Sequence, residues 1–114
     1  MTDCLFCGIA AGGIPADVVF SDDDVVAFRD LTPQAPVHIL VIPRAHHANA
    51  AQIAASAPAL AGRLLEVAGL LAEQEGIADS GYRIVTNTGP GAGQSVQHVH
   101  LHVLGGRGLA WPPG

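Results

Sequence analysis

The sequence predicts an α+β domain: a five-stranded antiparallel sheet carrying one long and one short helix. Three observations lead there. Residues 57–75 repeat apolar side chains at helical spacing, and five short β-type runs are separated by turn residues. Nothing in the 114 residues marks an internal repeat or a linker, so residues 1–114 read as a single domain.

Cys4–Gly12 spaces Leu5, Phe6 and Ile9 as a short helix would and stops at Gly12-Gly13. Val18–Ser21 and Val25–Arg29 are β-branched or aromatic runs parted by Ser-Asp-Asp-Asp, which predicts a hairpin. Pro33 and Pro36 make residues 31–36 an irregular connection. His38–Ile42 is almost continuously apolar and ends at Pro43, as a central strand does.

In the long helix, Leu60, Leu64, Val67 and Leu71 form one stripe. Ser56 suits its N-cap, Pro58 its first turn and Gly76 its stop. Tyr82–Asn87 and Val96–Leu104 complete the strands, with a glycine-rich loop, Gly89–Gly93, between them. Short turns between strands imply antiparallel pairing, with helix packed on one face.

Composition narrows the function. The chain is 49% apolar and 13% charged, with a formal charge of −5 and no lysine. It can therefore bury a core, and it lacks the basic surface that a nucleic acid polymer needs. A single nucleotide remains compatible, since backbone amides and neutral side chains can hold it. No run spans a bilayer, and MTDCLFCG has no signal-peptide character, so a cytoplasmic location is expected. Cys4 and Cys7, the only cysteines, do not make a secreted disulfide framework. They suit a redox pair, half of a zinc site, or two small buried residues.

The chemistry concentrates in HVHLHV, residues 98–103. On a strand, His98, His100 and His102 share one face, about 6–7 Å apart, while Val99, Leu101 and Val103 point to the core. Such a row serves a metal, or a nucleophilic imidazole with two helpers; surface histidines that do nothing are the poorer reading. TGPGAGQS, immediately upstream, tips the balance towards a phosphate site. Its glycines let backbone amides approach an anion, and Gln94 and Ser95 add neutral donors.

The segments AFRDLTPQAPVHILVIPRAH, GQSVQHVHLHV, LGGR and WPPG, in that order, resemble the histidine-triad superfamily and its Hint branch of purine nucleoside phosphoramidases. The resemblance extends from Asp3 to Gly114. It implies that His100 attacks the α-phosphorus, His102 contacts the phosphate oxygens, His98 orders the row and His38 forms the outer part of a relay. Ser95 helps the amine leave. Asp30 accepts the ribose hydroxyls, and Phe6, Ile14, Phe28 and Leu31 flank the purine; Asn87, Gly93, Gln94 and Val96 finish the phosphate and sugar contacts. For Asp30, a turn role opening Leu-Thr-Pro competes equally.

The resemblance further implies a structural zinc, which some bacterial members bind with such a cysteine pair. Carried over, its ligands are Cys4, Cys7, His46 and His98, with His47 as a substitute for His46. No organic cofactor is expected. The resemblance also implies a homodimer, its sheet extended across the two-fold and the Trp111 tail near the partner. Other activities to weigh are a dinucleoside polyphosphate hydrolase or nucleotidyltransferase, a nucleotide-binding scaffold, and a zinc hydrolase.

Overall fold

The computed structural model describes residues 4–114; Met1–Asp3, which open MTDCLFCG and the stretch of resemblance, lie outside the described residues. Five strands form one sheet, β1 (Val18–Ser21), β2 (Val25–Arg29), β3 (Val37–Pro43), β4 (Tyr82–Val85) and β5 (Leu101–Gly105), in the order β1-β2-β3-β5-β4. Every pairing is antiparallel. Among the described residues three α-helices accompany it, α1 (Leu5–Ala10), α2 (Ala50–Ser56) and α3 (Pro58–Gln74), with one 3-10 turn at Pro90–Ala92. Among the described residues no helix is long and apolar enough to cross a membrane.

The hairpin runs as its sequence predicts. Asp22 Oδ1 accepts the amides of Asp24 and Val25 at 2.8 Å each, which fixes the turn through a local carboxylate bridge. β3 is central and every one of its residues is buried. The two faces of the sheet differ. Val25, Ala27, Ile39, Val41, Val99, Leu101 and Val103 pack with Leu64, Val67 and Leu71 of α3, each large side chain contributing roughly 1.5–3 kcal/mol of burial. On the other face Val26, Phe28, Leu40 and Ile42 pack with Phe6 and Ala10 of α1.

Several boundaries depart from expectation; β4, for one, ends at Val85 rather than Asn87. Ser56 does not cap the long helix; it ends α2, its hydroxyl donating to Gln52 O at 2.9 Å. Ala57 occupies the cap position of α3 without a side-chain hydrogen bond. β5 begins at Leu101 rather than Val96, because residues 96–98 bend and Val99 N bonds His47 O at 2.7 Å instead of a β3 partner. The inward set of Val99, Leu101 and Val103 is nevertheless retained. The last residue of β5 must be glycine for lack of room: a Cβ on Gly105 would lie 2.6 Å from Ile77 Cδ1.

Candidate active site

Strand register assembles the first group. Arg29 pairs with Ile39, so Asp30 follows β2 opposite His38 of β3. Leu40 pairs with His102 and His38 with Leu104, which makes His38 and His102 diagonal neighbours on one face. Their rings meet at 2.9 Å, Nε2 to Nδ1, and Asp30 Oδ2 lies 3.5 Å from His38 Nε2. The backbone amide of Gln34 donates to His38 Nδ1 at 3.0 Å. That amide can only donate, so neutral His38 carries its proton on Nε2 and gives it to His102 Nδ1. His102 keeps its own proton on Nε2.

Burial, reinforced by the His100 and His38 rings, pushes His102 down to about 4, with Asp30 opposing. His38 is likewise lowered by burial against the pull of Asp30. Both are therefore neutral near pH 7 and hold these tautomers.

His100 is fixed differently. Its Nδ1 lies 2.8 Å from the His98 carbonyl, an acceptor only, so Nδ1 bears the proton and Nε2 keeps its lone pair. The Phe6 ring stands edge-on to His100 at 5.0 Å and to Phe28 at 5.5 Å. These groups line a cleft of about 230 Å³ with Leu5, Ile9, Ala16, Asp30, Leu31, Leu40, Ser95, Val96 and His102. The lining combines apolar side chains with imidazoles, a hydroxyl and a carboxylate, as small-molecule sites do.

His98 leaves the row. It is wholly buried, and its Nε2 donates to Pro43 O at 2.8 Å, which turns Nδ1 towards Cys4 Sγ and Cys7 Sγ, 3.4 Å from each. His46 Nδ1 lies 3.2 Å from Cys7 Sγ. The four ligand atoms fall within 4.8 Å of one another. Tetrahedral zinc would separate such atoms by about 3.3–3.8 Å, so two sulfurs and two imidazoles here fit the ion. The carbonyl that fixes His98 is the outer support such ligands need. His47 is elsewhere, its Nδ1 3.1 Å from Gln52 Oε1, so His46 is the residue the fold supplies to this shell. Asp30, His38 and His102 also converge within 4.8 Å, but the proton shared by the two rings occupies the donors a metal would need.

The remaining residues divide. Asn87 borders a second cavity beyond His38 and His102. Asp30 takes the turn role with Oδ1, which accepts Thr32 N at 2.8 Å, and its Oδ2 lies 3.5 Å from His38 Nε2. Leu31 is 96% exposed on the rim. Ile14 is not in the cleft wall; it packs across Gly8, which has no space for a Cβ beneath it.

Gln94 directs its side-chain amide at the chain itself. Its amide nitrogen donates to Ala48 O and Val96 O, at 2.7 and 3.0 Å, and its oxygen accepts Gly89 N at 2.9 Å. The glycine loop is likewise closed on itself. Amides of Ala92, Gly93 and Gln94 bond Gly89 O or Pro90 O, and Gly89 and Gly93 adopt φ of 84° and 82° to allow this. Gly93 is exposed outside the cleft wall. Trp111 is 83% exposed.

Sequence reading passed over Leu5, Ile9, Ala16 and Leu40 of the cleft wall and the Gln34 amide that sets the His38 tautomer. Leu5 and Ile9 flank Phe6 on one turn of helix, which is a visible signal; the Gln34 contact is not.

Comparison with known proteins adds the following. The HIT domain family profile matches residues 11–109. The chain is 47% identical over 107 residues to the purine nucleoside phosphoramidase of Escherichia coli K12, covering 94% of this chain and 90% of that one. It is 49% identical over 114 residues to a 14 kDa zinc-binding protein of Brassica juncea, covering 98% and 100%. A HIT family hydrolase from Legionella pneumophila superposes with a TM-score of 0.95 at 50% identity, over 98% of this chain and all of that one.

Proposed function

The chain belongs to the HIT domain family, and from that premise we propose that it hydrolyses purine nucleoside phosphoramidates to the 5′-monophosphate and an amine. The observation that carries the reading is the His100 tautomer. Its Nδ1 proton is committed to the His98 carbonyl, which leaves Nε2 as a nitrogen nucleophile in a partly apolar cleft.

In this reading the purine lies among Phe6, Phe28 and Leu31, and Asp30 Oδ2 takes a ribose hydroxyl. His100 Nε2 attacks the α-phosphorus, the phosphorus–nitrogen bond breaks, and the leaving amine takes a proton from solvent relayed through the Ser95 hydroxyl. The neutral His102, oriented by His38, donates a hydrogen bond from Nε2–H to a phosphate oxygen and keeps its proton. Asn87 and Val96 complete the contacts to phosphate and sugar. Water then attacks the nucleotidyl-His100, and the phosphorus–Nε2 bond breaks to return neutral imidazole. The proton shed by water balances the one taken by the amine.

Zinc is the metal we assign to Cys4, Cys7, His46 and His98; with four protein ligands it supplies stability rather than an open coordination position. The Brassica protein's name and the donor set support this. We also read the protein as a homodimer: Trp111 is exposed, as are Leu65 and Leu70 of α3 and Tyr82 of β4.

The test is His100→Ala with an adenosine phosphoramidate. Turnover should fall by at least about 10³-fold with nucleotide binding retained, and wild type should sediment at twice the chain mass. Surviving turnover would remove His100 as the nucleophile. Faster turnover of a diadenosine polyphosphate than of the phosphoramidate by wild type would move the enzyme to the polyphosphate hydrolases.

A further inference from the structure

The five cations of this chain are all arginines, and three are fully engaged. Arg29 pairs with Glu75 at 2.9 Å, and Arg63 pairs with Asp22 and Glu66 at 3.0 and 2.6 Å. Arg44 directs its three guanidinium nitrogens at Ser21 Oγ, Asp22 O and Ala10 O. Arg83 and Arg107 differ: among the described residues neither has an ion pair, and neither guanidinium is filled. Arg83 gives only Nη2, to Leu109 O and Ala110 O at 3.2 and 2.9 Å. Arg107 gives Nε to Gln34 O at 3.0 Å and Nη1 to Gly108 O at 2.8 Å, and keeps Nη2.

Both border one cavity of about 280 Å³, together with His38, Asn87 and His102. His102 is the wall this cavity shares with the nucleoside cleft. The same arginines also edge an outer hollow beside Ser80 and Tyr82, which contains no imidazole. Carbonyl contacts need a donor but not a charge, so tail anchoring leaves two positive charges side by side and uncompensated in a chain of net charge −5. Guanidiniums with unfilled donors, lining a cavity next to a phosphate-handling imidazole, are complementary to a second anion.

We propose that this cavity is the leaving-group subsite, and that Arg83 and Arg107 select leaving groups that carry their own negative charge, such as a carboxylate or a sulfate. The inference rests on the phosphoramidase reading and adds a specificity to it.

The experiment compares two adenosine 5′-phosphoramidates, one P–N linked to glycine and one to glycinamide, which differ by a single charge. Wild type should prefer the glycine conjugate by about tenfold in kcat/KM, and the preference should shrink with added salt. In Arg83→Gln/Arg107→Gln the ratio should fall to about one, and Arg83→Lys, which keeps the charge, should retain part of it. A parallel arm compares adenosine 5′-phosphosulfate with the unsubstituted phosphoramidate in the same variants. Arginine dependence in either arm upholds the subsite and identifies its anion; dependence in neither overturns it. If no phosphoramidate is turned over, the functional reading fails by itself. The glycine-to-glycinamide ratio of Kd on His100→Ala, with and without the two arginines, then decides the subsite.

Discussion

Two histidine clusters stand on either side of His100, and they are built on opposite principles. In the thiol cluster, Cys4, Cys7, His46 and His98 converge with all donor atoms pointing inward. In the relay cluster, Asp30, His38 and His102 form a chain, each ring nitrogen with an assigned direction of donation from the Gln34 amide onward. Convergence suits an ion; direction suits a proton. A count of histidines cannot separate the two arrangements, whereas the partners of the second ring nitrogen can.

The comparison breaks most visibly on the thiol side. Chelation, or Cys7→Ser, should lower the melting temperature by on the order of 10 °C and release the metal, measured by calorimetry and metal analysis. Activity per folded molecule should outlast the metal. Loss of turnover without any loss of stability would make the thiol cluster a catalytic centre and end the distinction. On the relay side, His38→Ala should lower kcat by about 10²-fold while metal content stays at the wild-type level. An unchanged kcat would reduce the chain of imidazoles to packing.

The smallest effect is in pH. His102 sits at about 4 when folded, against roughly 6.5 for an unfolded histidine. Between those values the unfolded chain binds a proton that the folded chain refuses. Stability is therefore full above about pH 6.5 and declines as the pH falls towards 4. The melting temperature should drop by roughly 5 °C between pH 7 and 5, and His102→Asn should flatten that slope. A slope unaltered in the variant would assign the effect to other groups.

Much of the fold was legible because burial follows period. β2, β3 and the Leu64, Val67 and Leu71 part of the α3 stripe bury the residues their spacing selects, while Leu60 and the β1 side of the hairpin are at most half-buried. α2 was missed because Ala-Ala-Gln-Ile-Ala-Ala-Ser has no stripe; only Ile53 is buried. Its signal was local: Asn49 caps it by accepting Gln52 N at 3.0 Å. The spacing of HVHLHV foretold the inward Val and Leu side chains, but not the departure of His98 from the row. That turn is set by Pro43 and two cysteines more than 50 and 90 residues away in sequence. Phe6 shows the same limit. It was visible as an apolar residue, yet its place between the two clusters, 6.0 Å from the His98 ring and 5.0 Å from His100, is purely tertiary.

The Gln94 brace also has a consequence in time. Its one amide ties together the start of the glycine loop, the approach to α2 and the backbone just past Ser95. The ordering entropy of that wall is thus spent when the chain folds, and little is left to spend at each encounter with a ligand. A wall set in advance has no closing step to wait for, so association should follow diffusion, and discrimination among substrates should be read in how long they stay.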